Sequence, residues 1–175
     1  QESKSQIDDL INQITNNNQN FDFEVYFSEI FHEKDGFDIV IANPPYDVIN
    51  DGKLRELFSD SIYGRANLYG LFIHKAIRDI LREDGTLTFI NPKTLLADAY
   101  FVNLRKYLRN NGDFIEIMKI VDRHNIFDEV LQACIIQIYR KTKPCEDHRI
   151  VMMEIAERKD IGDLSASISV PKNKV

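Results

Sequence analysis

Long apolar runs, paired cysteines and an excess of positive charge are all missing from this chain of 175 residues. Its most apolar stretches, Phe37 to Ala42 and Leu71 to Ile80, are short and bounded by charges. Both fall well under the roughly 20 residues that a membrane-crossing helix needs, so no membrane partner is expected. Cys134 and Cys145 stand apart, with no Cys-x-x-Cys pair and no histidine at metal-ligand spacing. Neither a zinc site nor a disulfide framework is suggested, no metal is expected, and a reducing, cytoplasmic setting is implied. The four histidines are scattered, which favours surface or structural roles over a catalytic one. Gln1 stands first, and nothing after it has the charged, apolar and small-residue succession of a signal peptide. The expectation is an internal piece of a larger polypeptide. Net charge is -6. Affinity for nucleic acid comes largely from Lys and Arg neutralising phosphates, so any DNA grip is expected from a separate domain.

What is present suits one compact domain, with 43% of residues apolar. Ile7, Leu10, Ile11 and Ile14 recur at helical spacing before a run of Asn and Gln over 16–20, which reads as a helix and then a loop. Phe21, Phe23, Val25 and Phe27 alternate with polar residues, predicting a strand or extended segment. Phe37 to Ala42 is a clearer strand, apolar enough to be buried on both faces as in a parallel sheet. From Asn43 to Ala66 periodicity is lost, which predicts a long loop of functional or mobile character. A helix follows from Leu68 to Ile80, stopping at Glu83-Asp84-Gly85, where Gly85 can take the left-handed closing conformation. Thr86 to Ile90 is the next strand, Leu95 to Leu108 the next helix, and Phe114 to Val121 a further strand. Strand, helix, strand, helix, strand is the pattern of an open α/β sheet, mostly parallel. Ala133 to Arg140 comes too soon after Val121 for a helical crossover and should form an antiparallel hairpin at the end of the sheet. Ile150 to Ile155 suggests one more strand, and the charged, serine-containing tail beyond Ala156 reads as a linker.

Chemistry points to Asn43-Pro44-Pro45-Tyr46, immediately after a strand predicted to be buried. Ligands of open α/β sheets bind beyond the carboxyl ends of the strands. Two consecutive prolines fix their own φ and drive the residues before them into extended geometry, so the backbone here is stiff. The Pro44 carbonyl remains free to accept a hydrogen bond, and the Asn43 side-chain oxygen is a second neutral acceptor. Two acceptors converging on one planar exocyclic amine hold both its hydrogens, favour the pyramidal form, and stabilise the charge that grows on nitrogen as it is alkylated. Tyr46 supplies a flat ring on which a base swung out of a duplex can stack. The alternative is an ordinary strand-terminating turn in which Tyr46 is a half-buried packing residue.

Phe37 to Tyr46 resembles the fourth motif of adenine-specific DNA methyltransferases of restriction-modification systems, of the TaqI-like and type IIG fused classes. Asn67 to Leu81 and Gly85 to Pro92 are similar to that family's fifth and sixth motifs, and Ile126-Phe127 with Ala133 to Tyr139 to its eighth. The resemblance implies a partial Rossmann-like fold that uses S-adenosylmethionine. It implies that 21–143 form the C-terminal half of the catalytic domain, after a helix and polar loop over 1–20. Residues 144–175 then carry an extra strand and a linker toward a target-recognition domain. By the same resemblance Asn43 and Pro44 accept from the adenine amino group and Tyr46 stacks on the flipped adenine of double-stranded DNA. Pro45 and Phe72 line the pocket for the cofactor adenine, and Phe127 packs edge-on against the target base. Spacing alone would instead make Phe72 a core residue and Phe127 a plug beneath a hairpin. The family's upstream glycine-rich loop and acidic ribose anchor have no counterpart in this chain. A missing N-terminal cofactor-binding segment, a target-recognition domain and a fused or associated nuclease are therefore the expected partners, and the piece alone is expected to be inactive.

Two rival readings stand beside this one. Methyltransferases of protein glutamine or of RNA guanine share Asn-Pro-Pro-Tyr and its acceptor chemistry, and a non-catalytic scaffold would use the same turn for packing alone.

Overall fold

The computed structural model describes residues 4, 21–64, 67–120, 133–155 and 167–172. The helix expected over 7–14 lies outside those residues. The aromatic alternation at Phe21 to Phe27 does not produce a strand. It produces two short helices, α1 (Phe23–Tyr26) and α2 (Ser28–Lys34). Asp22 caps the first by accepting from the Glu24 amide, and the fourfold spacing of Phe23, Phe27 and Phe31 then decides the matter. All three rings meet Phe37 at centroid separations of 6.4, 5.3 and 5.9 Å, contacts that a helical period of 3.6 allows and a strand period of two does not.

Strand β1 (Phe37–Ala42) follows a turn in which Asp35 is left-handed and Gly36 has φ 130°. A Cβ on Gly36 would stand 2.6 Å from the Ile80 carbonyl oxygen, so only glycine lets the chain pass there. The remaining elements are α3 (Gly52–Leu57), α4 (Leu68–Lys75) continued by a π turn over Ala76–Ile80, β2 (Leu81–Pro92), α5 (Thr94–Ala97), a 3-10 turn over Ala99–Phe101, α6 (Val102–Asn111), β3 (Gly112–Ile120), β4 (Cys134–Lys141), β5 (Arg149–Ile155) and β6 (Ile168–Pro171). The single helix expected over Leu95 to Leu108 is broken at Asp98, which is extended. Arg105 repairs the break by donating to the carbonyls of Leu95 and Asp98, both at 2.9 Å.

The six strands form one mixed sheet in the order β1-β2-β4-β3-β5-β6. β1 runs parallel to β2 and β3 parallel to β5, while β4 is antiparallel to both β2 and β3, and β6 is antiparallel to β5. Four strands thus share one direction. The expected antiparallel strand is present, inserted between β2 and β3. The tail read as a linker contributes β6 at the sheet edge, where the terminal Pro171 interrupts no interior ladder.

At the turn within β2, Asp84 takes the left-handed conformation, φ 60°, in place of Gly85. Asp is among the few residues other than glycine that visit this conformation. Gly85 is needed for closeness instead, since a Cβ would lie 2.8 Å from the Leu81 side chain.

One face of the sheet packs Leu87, Phe89, Ile117, Ile135 and Tyr139 against Tyr69, Ile73 and Ile77 of α4 and its π turn and Leu104 and Leu108 of α6. Strand β1 departs from the expectation of burial on both faces. Ile39 and Ile41 are 61% and 74% exposed, because the helices that cover the other face have no counterpart on this side among the described residues.

Candidate active site

The Asn43 to Tyr46 turn leaves β1 at its carboxyl end, directly after Ala42 pairs with Phe89 of β2. Pro44 is buried, Asn43 and Pro45 are exposed, and Tyr46 is half-buried. A rigid turn with its first proline sunk into the fold and its asparagine facing out is what the restricted φ of both prolines allows. Asn43 stands at the surface and does not serve the core.

The turn is pinned on both sides. The Tyr46 hydroxyl lies 3.3 Å from the Ile90 carbonyl oxygen of β2 and 3.3 Å from Asn43 Oδ1, with Cys134 Sγ at 3.9 Å. On the other side Asn67 Nδ2 donates to the Tyr46 carbonyl at 2.5 Å, the Leu68 amide donates to the Asp47 carbonyl at 2.8 Å, and Val48 bridges Asn67. The entry to α4 therefore fixes the exit from the turn. Burial, and then the neighbouring Cys134 thiol, push the Tyr46 phenol well above its ordinary value. It stays protonated and acts as a hydrogen-bonding group, never as a base.

The edge of Tyr69 meets the Tyr46 ring at 6.1 Å and 83°, and the Tyr69 hydroxyl pairs with Thr94 Oγ1 at 3.1 Å. This chain of contacts links the turn to Asn91-Pro92-Lys93-Thr94 at the carboxyl end of β2. A cleft of about 510 Å³ opens beside that segment, walled by Leu96, Ala97, Ile117, Ile135 and Met152 with Lys93 at its rim.

Of the residues singled out from sequence, Asn43, Pro44, Pro45 and Tyr46 are grouped by their own contiguity. Phe72 is 46% exposed on α4 and is not the core residue that helical spacing favours, because α4 turns Tyr69, Ile73 and His74 inward instead. Phe127 lies outside the described residues. Sequence reasoning missed Asn67, Tyr69, Ile90 and Cys134 as supports of Tyr46. Nothing local marks them, since they reach the Tyr46 ring or its backbone carbonyl from three other elements.

A family model described as the Eco57I restriction-modification methylase matches residues 1–127. The chain belongs to this family. Similar to this Eco57I-type chain are the modification methylase CviBIII of Paramecium bursaria Chlorella virus NC1A, 34% identical over 102 residues, and the type II methyltransferase M.TthHB8I of Thermus thermophilus, 38% identical over 90 residues. Those alignments cover 58% and 45% of the chain but only 26% and 21% of the two relatives. The chain thus spans about a quarter of their length.

Among solved structures, a class I S-adenosylmethionine-dependent methyltransferase of Listeria monocytogenes superposes with a TM-score of 0.55 at 22% identity, over 67% of this chain and 37% of that one. The type IIG restriction endonuclease BpuSI gives 0.52 at 19% identity, over 66% of this chain and 15% of that one. At such identities the likeness concerns the fold, and the fold of this Eco57I-type chain is that of class I methyltransferases.

Proposed function

We propose that the chain carries the target-base side of a methyltransferase acting on the exocyclic amino group of adenine in double-stranded DNA, within a restriction-modification polypeptide. The observation that carries this reading is the posture of the turn. Asn43 is exposed at the carboxyl end of β1 while Pro44 is buried and the Tyr46 hydroxyl is docked on β2.

Asn43 and Pro44 are the acceptors for the two amino hydrogens, and being neutral they hold those hydrogens without removing them. Their oxygens favour the pyramidal nitrogen and stabilise its growing positive charge. Tyr46, half-buried and braced by Tyr69, offers the ring for a base that has left the duplex. S-adenosylmethionine supplies the electrophilic methyl group when bound. Exposed Pro45 and Phe72 suit an adenine ring of that cofactor as apolar surface. The described residues include no glycine-rich turn to admit the rest of the cofactor closely, and Ile39 and Ile41 stand open beside the turn. The cofactor-binding segment is therefore assigned to another part of the same polypeptide, laid over that face. Target recognition falls to a further domain, in keeping with a net charge of -6 here.

The test is methyl transfer from labelled S-adenosylmethionine by the complete polypeptide. Asn43→Ala is expected to lower the single-turnover rate on duplex DNA by roughly a hundredfold to a thousandfold, the usual effect of losing one group aimed at developing charge. An unchanged rate refutes the acceptor role. Labelling of ribosomal RNA or of a release factor, with DNA left unlabelled, reassigns the substrate.

A further inference from the structure

The Tyr46 hydroxyl carries one proton and stands 3.3 Å from two oxygens that can only accept, the Ile90 carbonyl and Asn43 Oδ1. An O–H···O bond is ordinarily about 2.7 to 2.8 Å. Both separations are long, as expected where one proton faces two acceptors and can serve only one of them. The conflict disappears if the Asn43 amide turns through half a revolution about its last side-chain bond. That motion exchanges O for N and leaves the shape of the side chain unchanged. Nδ2 then donates to the hydroxyl oxygen, the hydroxyl donates to Ile90, and every group in the row is satisfied. Oδ1 at the same time leaves the tyrosine and faces the exposed side of the turn.

We infer that the Tyr46 hydroxyl is a positioning group that selects the end of the Asn43 amide presented to the substrate amine. It relays the fixed polarity of the Ile90 carbonyl, which belongs to β2, across to Asn43 on the loop after β1. The ring of Tyr46 and its hydroxyl thus have separate tasks, one receiving the base and the other keeping the acceptor oxygen toward it. A turned-back amide would present two N–H donors to a substrate amino group that itself has only hydrogens to offer at that edge. Such an arrangement repels, so the fraction of molecules with the correct amide end limits the rate. The inference rests on the acceptor role proposed for Asn43, and its test separates the two.

Tyr46→Phe removes one oxygen and keeps the ring. In the complete polypeptide, the single-turnover methylation rate is expected to fall roughly fivefold to tenfold, the weight of one hydrogen bond. DNA affinity and the fluorescence of 2-aminopurine placed at the target base, which reports base extrusion, should stay as in the parent. In an Asn43→Asp background the carboxylate presents an oxygen on either side, so orientation no longer matters. There Tyr46→Phe should change the single-turnover rate by less than about twofold. The inference is overturned by a parental rate in Tyr46→Phe, by an equal loss in both backgrounds, or by a 2-aminopurine signal that falls with the rate. Loss of activity in Asn43→Ala with a parental rate in Tyr46→Phe removes the positioning role alone. Parental activity in Asn43→Ala removes the acceptor reading beneath it.

Discussion

Two apolar clusters among the described residues are built differently: Tyr46 packs against the larger, and the chain beyond the turn forms most of the smaller. The larger joins the sheet to α4 and α6 through side chains that strand and helix periodicity already mark, among them Leu87, Phe89, Leu104 and Leu108. The smaller gathers Ile49, Phe58, Ile62 and Leu71, three of them from a stretch without periodicity. It folds the expected long loop into a compact layer containing α3, whose first amides at Lys53 and Leu54 are capped by Asp51. Polar contacts tie this layer to α4, and the most buried is at His74. His74, fully buried, lies with Nδ1 2.6 Å from Ser61 Oγ, which reaches the Phe58 carbonyl at 3.3 Å. The His74 ring stacks on Tyr107 and meets Phe58 edge-on. The lesson is a division of labour: the large cluster sets the fold, and the small one holds the chain that leaves the site.

That division can be broken by experiment. Leu104 is fully buried in the large cluster, and Leu104→Ala is expected to destabilise the whole fold by about 2 to 5 kcal/mol in urea denaturation. Phe58→Ala should act more locally. It is expected to shift the urea midpoint less than Leu104→Ala does, while amide hydrogen exchange speeds up selectively across residues 51–62. Equal global losses from the two substitutions would mean that the clusters are one cooperative unit.

The smallest effect expected is a pH dependence. Burial depresses the His74 imidazole below its ordinary value, with Arg78 acting the same way and Asp60 and Asp79 opposing. The unfolded chain therefore takes up the proton first as pH falls. Stability from the neutral ring is whole above about pH 6.5 and declines below it. Urea midpoints compared at about pH 7.5 and about pH 5 should fall more for the parent chain than for His74→Gln. Identical acid-side slopes would show that His74 does not titrate as its burial demands.

The sheet was readable because its strands are apolar runs bounded by turn residues and its helices repeat at 3.6. Even there, periodicity misled at two places for local reasons. Phe21 to Phe27 satisfies both a period of two and a fourfold spacing, and only the meeting of Phe23, Phe27 and Phe31 around Phe37 selects the helix. Phe72 continues an apolar stripe on paper, yet α4 rotates Tyr69 and His74 inward because Thr94, Ser61 and Tyr107 receive them. The loop from Asp47 to Gly64 hid its order because Ile49, Phe58 and Ile62, which meet Leu71 of α4, follow no period that could be detected.

Sequence by itself determined the turn and its place. A strand followed by two prolines can do little other than end stiffly at the carboxyl edge of a sheet, since φ is restricted at each proline and the residue before it is held extended. Tertiary structure alone decided what surrounds Tyr46. Ile90 comes from β2, Cys134 from the start of β4, and Asn67 from the entry to α4. The arrival of Ile90 and Cys134 at the phenol and of Asn67 at the Tyr46 carbonyl depends on sheet register and helix placement, and hydrogen bonds between residues as far apart as 44 and 88 positions leave no trace in local spacing.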